Sequence, residues 1–338
     1  MEKMLRIVGV LAGVVLLAFL GWFGAAKAGW LATDRDAMIA RYAGAPSQFI
    51  TVDGVPMHVR VEGQGYPVLM LHGSNQNLQQ WDPLVERLRG HYRIIRLDWS
   101  PYGLSGPDPT GNYTNARAAQ LVGGVLDALK IDRVAVISTS NGANVALQLN
   151  ADRPERISAM SFSILPLERP SQTRAVNWKI KAALAFHEKL LPYYHPKFYY
   201  RWIFEDTSHP GWVVPDALPQ MMYDMANMPG VIPRQKAYIA SNVKLFKTTD
   251  VGAVAATVKA PTQLIWCELD TVISQGPEAT TRRFTNTSVD VVRYPDVGHW
   301  PMWEQPERFA KDVKAFLDRT VGPKAPTAAA STPVQADR

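Results

Sequence analysis

A single cysteine, Cys267, stands among 338 residues, so no disulfide can form within the chain and the redox compartment is left unmarked. No cluster of Cys, His and carboxylates has metal-ligand spacing, and no glycine-rich phosphate loop appears, so neither a metal nor a cofactor is expected. Lys and Arg exceed Asp and Glu, giving a net charge of +6 and a pI near 9.3. They are scattered, however, and no basic run alternates with stacking aromatics, so a nucleic-acid partner is not expected. No internal repeat is visible. What remains is 47% hydrophobic and 20% charged, an ordinary globular balance, in a length that allows one large α/β domain with an insertion or two smaller domains.

Charge is missing altogether from Ile7 to Ala26. About 20 residues at 1.5 Å each make a helix of roughly 30 Å, the thickness of a bilayer's hydrocarbon core. The stretch is read as a retained transmembrane anchor contacting membrane lipid, with Trp22 and Trp30 suited to an interfacial belt. The competing reading is a cleaved signal peptide: Lys3 and Arg6 make a basic start, and Ala26-Lys27-Ala28 has the small-x-small form of a cleavage site, although signal peptides have shorter apolar centres. Basic residues on both flanks leave the positive-inside rule undecided. Either reading exports the rest of the chain, which is expected in the periplasm or outside the cell, tethered in the first case and secreted in the second.

Beyond the anchor the chain alternates. Phe49 to Val52 and Met57 to Val61 flank the turn signal Asp53-Gly54 as a hairpin. Pro67 to Leu71 is a buried-strand run and Arg93 to Leu97 a further strand, with helical spacing from Trp81 to Leu88 and from Asn115 to Leu129, then strands at Val134 to Ile137 and Ile157 to Ile164. Strand and helix in alternation predict a mostly parallel, doubly wound α/β sheet. The rhythm breaks after Pro166, where Trp, Tyr, Phe, Met and Pro accumulate around helical stretches near Val176 to Leu191 and Pro219 to Met228. It resumes with Thr262 to Trp266, a helix from Pro277 to Phe284, a strand from Val289 to Tyr294 and a helix from Glu304 to Leu317. The expected organisation is therefore an anchor or signal segment at 1–29, a linker at 30–46, a core at 47–165 and 261–320 interrupted by a helical cap at 166–260, and a disordered tail at 321–338.

Ser138-Thr139-Ser140-Asn141-Gly142 sits between the strand at Val134 to Ile137 and a helix-like stretch from Ala143 to Asn150. A β-branched strand, a central Ser with small residues two before and two after, and a helix have the layout of a nucleophile elbow. A hydroxyl is a weak nucleophile near neutral pH and needs a base, which in turn needs an orienting acid. Asp270 and His299 lie just beyond the strands ending at Trp266 and Tyr294, where the loops of a parallel sheet converge. Glu268, Asp296 and Glu168 are rival acids. Taken singly, each residue has a plainer role, as a turn Asp or a core His; their order after an elbow is what points to a triad. The backbone NH groups of Asn141 and Ser74 are placed to receive a developing oxyanion, and His72 is expected to hold the Ser74 loop.

These residues resemble the α/β-hydrolases of the Ser-nucleophile group over about Phe49 to Leu317. The resemblance rests on Leu71-His72-Gly73-Ser74, on Asp98 to Ser105, on the elbow, on Leu264 to Ile273, and on Gly298-His299-Trp300-Pro301 ahead of Glu304. It implies an α/β-hydrolase fold with Ser140, Asp270 and His299 as the triad and Ser74 and Asn141 as the oxyanion hole. Three positions depart from the pattern: Ser100-Pro101, Cys267 in place of Gly, and Ser138 in place of the first elbow Gly.

The implied activity is a serine hydrolase acting on a small-molecule acyl substrate, an ester, thioester or lactone with an apolar part, through an acyl-enzyme. An Asp-nucleophile chemistry is argued against by Ser140. Carbon–carbon hydrolysis of ring-cleavage products is the second reading, favoured by Trp300 and disfavoured by Thr139, where those relatives often carry Asn. A membrane-tethered binding protein without activity is the rival from another class. Trp178, Phe186, Trp202, Trp212, Met221, Met222 and Met225 either line an acyl pocket or form the cap's own core.

Overall fold

The computed structural model describes residues 2–168, 178–273 and 275–322. Eight strands make one sheet: β1 (Ser47–Val52), β2 (Val55–Glu62), β3 (Tyr66–Leu71), β4 (Tyr92–Leu97), β5 (Val134–Thr139), β6 (Ile157–Ser163), β7 (Thr262–Cys267) and β8 (Val289–Tyr294). Their order is β1-β2-β4-β3-β5-β6-β7-β8. The hairpin β1–β2 and the pair β2–β4 are antiparallel; every pairing from β4 to β8 is parallel. All six residues of β5 and of β7 are buried, as strands covered on both faces must be, which explains their unbroken apolar character.

Twelve helices are described, α1 (Glu2–Lys27), α2 (Arg35–Tyr42), α3 (Asp82–Leu88), α4 (Asn115–Ala128), α5 (Asn141–Asp152), α6 (Trp178–Lys189), α7 (Lys197–Thr207), α8 (Ala217–Ala226), α9 (Val231–Thr248), α10 (Pro277–Thr281), α11 (Pro301–Glu304) and α12 (Pro306–Thr320). In α12, Phe309, Ala310, Val313, Phe316 and Leu317 are buried, one apolar stripe at helical spacing laid against the sheet. Helices α6 to α9 stand between β6 and β7. Tyr199, Phe204, Met221, Met222 and Met225 form a separate cap core that also takes in Trp300. Within the sheet the chain passes from β3 to β4 on one side and then to β5 on the other. Such a switch point leaves a crevice at the carboxyl ends of β3 and β5.

Several elements differ from the sequence expectation. The run from Glu304 to Leu317 is two helices, α11 and α12, because Pro306 has no NH to continue a helix through Gln305. The stretch from Trp81 is preceded by a 3-10 turn, Leu78–Trp81, capped by Asn77. Helix α9 begins in a Pro-containing segment that conceals it: Pro233 falls in the first turn, where its missing NH costs nothing. The segment 30–46 contains α2, capped by Asp34, and Tyr42 donates to Asp224 in α8 at 2.6 Å, with Arg41 3.0 Å from the same carboxylate. The disordered tail read over 321–338 falls almost wholly outside the described residues, as do 169–177 of the cap.

Candidate active site

Ser140 occupies the junction between β5 and α5 with φ 50° and ψ −133°, a conformation rare for any residue with a Cβ. Its own NH is tied back to the carbonyls of Ser163 and Ile164 at 3.2 and 3.0 Å, which holds the turn. The crowding that the elbow spacing implies is present: a Cβ at Gly142 would lie 2.3 Å from the His72 carbonyl oxygen and 2.5 Å from that of Leu71. Ser138, the departure at the first elbow position, is fully buried within β5, so its small size fits the same constraint.

Asp270 lies just after β7 and His299 just after β8, so the candidate acid and base sit on the same carboxyl edge as Ser140. His299 Nδ1 lies 3.1 Å from Asp270 Oδ1 and 3.0 Å from Oδ2, and Asp270 Oδ1 also accepts the Val272 NH at 2.6 Å. A carboxylate against Nδ1 keeps the proton there and leaves Nε2 with its lone pair outward, the tautomer that can take a hydroxyl proton. The rival acids are engaged elsewhere: Glu268 with Arg293 at 2.7 Å, Glu168 with Arg283 at 3.6 Å, and Asp296 with Arg308 at 3.5 Å.

The loop that carries His299 is held by a residue whose role the sequence does not reveal. Glu304 accepts the NH groups of Gly298, Trp300 and His209 at 2.9, 2.9 and 2.8 Å. The His299 NH donates to the Thr207 carbonyl at 2.8 Å, and Trp300 Nε1 donates to Thr207 Oγ1 at 2.8 Å. Gly298 permits this approach, since a Cβ there would stand 2.5 Å from the Thr207 oxygen. The only sequence signal is the position of Glu304 shortly after Gly298-His299-Trp300-Pro301; its partner His209 is 95 residues away.

On the other side of Ser140, a Cβ on Gly73 would be 3.2 Å from the Ser140 Cβ, so the loop after β3 touches the elbow. His72 is fully buried, its Nε2 accepts the Trp99 NH at 3.3 Å, and its Nδ1 therefore carries the proton donated to the Gly73 carbonyl at 2.7 Å. In a trans peptide the NH points opposite the C=O, so fixing the Gly73 carbonyl aims the Ser74 NH the other way. Neither that NH nor the Asn141 NH has a protein acceptor among the described residues. The Asn141 side chain adds a contact of its own: its amide donates to Ser74 Oγ at 2.8 Å, joining the two candidate oxyanion residues.

Behind this loop, Asp98 accepts from the Leu78 and Leu104 NH groups, each at 2.7 Å, and meets His58 Nδ1 at 2.7 Å. Burial pushes the Asp98 carboxyl up, but the His58 charge and hydrogen bond, with His72 and the Leu104 NH, outweigh it and hold the carboxyl below its ordinary value. Cys267 is buried and its thiol is pushed well up, chiefly by burial, so it packs as a neutral side chain.

His72 gives the site a pH dependence. Burial pushes its pKa from 6.5 down to about 4, against the smaller opposing pull of Asp98 and the Gly73 carbonyl. Below pH 6.5 the unfolded chain takes up a proton that the folded chain refuses until about pH 4, so stability falls across that window by up to roughly 3 kcal/mol. Asp98 acts in a lower range: its depressed carboxyl contributes stability above pH 3.8 and loses it only on further acidification. Denaturant unfolding monitored by circular dichroism at half-unit pH steps is expected to show the midpoint falling between pH 6.5 and 4; a flat midpoint there contradicts the neutral, buried His72.

A sequence profile of the alpha/beta hydrolase family matches residues 68–312, the stretch that runs from β3 to α12 and contains Ser140, Asp270, His299 and both candidate oxyanion residues. The chain belongs to the alpha/beta hydrolase family. Among curated relatives of this hydrolase, the 2-hydroxymuconate semialdehyde hydrolase of Pseudomonas putida is 26% identical over 287 residues, covering 79% of this chain and 92% of the relative. The 2-hydroxy-6-oxo-6-(2'-aminophenyl)hexa-2,4-dienoic acid hydrolase of Metapseudomonas resinovorans is 23% identical over 284 residues, covering 80% and 91%. Among solved structures, a membrane phospholipase A described as a bacterial virulence factor superposes with a TM-score of 0.66 at 19% identity, covering 95% of this chain and 99% of that one. This likeness shows the hydrolase fold.

Proposed function

We propose that this hydrolase cleaves an ester, thioester or lactone with an apolar moiety through a covalent acyl-enzyme on Ser140. The observation that carries the reading is the pairing of His299 Nδ1 with both oxygens of Asp270, at 3.1 and 3.0 Å, on the sheet edge where Ser140 is held at φ 50°. In the proposed cycle Ser140 Oγ attacks the acyl carbon as His299 Nε2 takes its proton, and Asp270 stabilises the imidazolium. The oxygen that becomes negative is received by the Ser74 and Asn141 NH groups, a contribution of about 2.7 to 4 kcal/mol for each donor in well-studied hydrolases. The imidazolium then protonates the leaving group, and a water activated by the same nitrogen releases the acid. The chemistry proposed uses protein groups and water throughout.

The names of the two curated relatives favour a second reading, hydrolysis of a carbon–carbon bond in a ring-cleavage product, and the Trp300 beside His299 is compatible with it. Thr139, buried within β5 just before the nucleophile, supports the ester reading. A panel of p-nitrophenyl esters of graded acyl length, a lactone series and a ring-cleavage dienoate decides between them. The expected outcome is a kcat/KM highest for an ester or lactone and rising with acyl length; preferential turnover of the dienoate replaces the first reading with the second.

A further inference from the structure

The last turns of α1 are fastened to the cap. Trp22 meets Tyr194 edge to face with ring centroids 6.0 Å apart, Phe23 meets Phe186 at 6.4 Å, and Ala26 is buried with Leu191 and Tyr194. Ahead of that contact α1 is the one helix among the described residues long and apolar enough to cross a membrane, and none of its apolar window is buried. The cap around the contact carries large apolar side chains without cover: Trp178 is 73% exposed, Tyr193 68%, Phe198 47% and Leu190 45%. A groove of about 400 Å³ opens there, walled by Trp22, Trp178, Phe186, Phe198 and Trp202. Lys179 lies over the Trp202 ring at 5.9 Å, and Lys181 and Lys189 are exposed on the same helix.

We infer that this face of the cap lies in the membrane interface and that the groove seats an acyl chain of a bilayer lipid, so that the hydrolase draws its ester from the membrane holding α1. The inference rests on the acyl-hydrolase reading above and on retention of α1. Aromatic and aliphatic side chains set beside lysines are the composition of a surface lying in an anionic headgroup layer. Because α1 continues directly from the groove wall at Trp22, the bilayer that takes up α1 reaches the groove.

Two features connect the groove to the reaction centre. Helix α7 carries Phe198 and Trp202 in the groove wall and ends at Thr207, whose carbonyl accepts the His299 NH at 2.8 Å; Trp202 to Thr207 is about 8 Å along a helix axis. His187 lines both the groove and a second cavity of about 540 Å³ that extends to Asn75, the residue after Ser74. One layer of cap helix therefore separates the lipid-facing groove from the space beside the oxyanion loop.

The test uses the full chain reconstituted in vesicles of phosphatidylcholine and phosphatidylglycerol. With lipids brominated near the headgroup end of the chains, tryptophan emission is expected to be quenched and Trp178→Phe to remove part of that quenching. Quenching that is unchanged by Trp178→Phe, or a Trp178 shielded in a dimer of the chain, overturns the membrane-facing assignment. So does an intact mass corresponding to a chain that begins at Gly29, since Trp22 is then gone from the groove. In the same vesicles Phe198→Glu is expected to lower the ratio of phospholipid turnover to butyrate-ester turnover about tenfold. A ratio that does not move, or a wild type that cleaves the butyrate ester but no vesicle phospholipid, overturns the groove. Turnover of neither ester with the quenching intact sinks the acyl-hydrolase reading and leaves the membrane face standing.

Discussion

Ser140→Ala is expected to abolish labelling by a fluorophosphonate probe and to lower turnover of the best ester in the panel by roughly 10⁴- to 10⁶-fold, the scale seen when the nucleophile of a serine hydrolase is removed. The size comes from the arrangement at the elbow. Only Oγ of this residue stands in the strained turn at φ 50°, and Ala keeps the same backbone requirement while deleting the reacting atom. The surviving activity is that of the oxyanion donors and of substrate binding acting on water. The variant is expected to fold, since the Ser140 NH bonds to Ser163 and Ile164 do not involve its side chain. Labelling that persists in the variant moves the nucleophile elsewhere; a wild type that never labels under native conditions favours the membrane-tethered binding protein.

Asp270→Asn is expected to cost about 10⁴-fold in kcat with a small change in KM. The amide presents a donor to His299 Nδ1, which turns the imidazole to the tautomer that holds its proton on Nε2 and cannot receive the Ser140 proton. Substitution of Glu268, Glu168 or Asp296 by the matching amide is expected to stay within about fivefold, because each breaks only a surface ion pair of small worth. Steady-state kinetics on the four variants separate the assignments. Loss confined to the Glu268 or Glu168 variant would transfer the acid role to that residue.

Most of the sheet could be read from the sequence because parallel strands buried on both faces leave unbroken apolar runs, as Val134 to Ile137 and Leu264 to Trp266 do. The elbow was legible for a similar local reason: Gly142 and Ser138 answer a steric demand made within five residues. The family profile bears out the hydrolase assignment drawn from those motifs. The cap was less legible. Its helices α7 and α9 are rich in aromatics or opened by a Pro, and their stability comes from packing of residues such as Phe204 and Tyr238, which periodicity alone does not report. The holding contacts of the site were hidden for another reason. Glu304 gathers NH groups from both ends of a 95-residue separation, and the Asn141 amide finds Ser74 across 67, distances at which sequence spacing carries no geometric information.

The fastening of His299 and Gly298 to the end of α7 has a consequence for how such caps can be exchanged. The His299 loop and the cap share one hydrogen-bonded seam, made by Thr207, His209, Glu304 and the Gly298 and Trp300 NH groups. A chimaera that grafts a relative's cap at 166–260 onto this core would cut through that seam unless Thr207 and His209 travel with compatible neighbours. Transplanted specificity in this protein is therefore a problem of joining a cap to the His299 loop, and the residues to carry across are those of the seam rather than those that line the pocket.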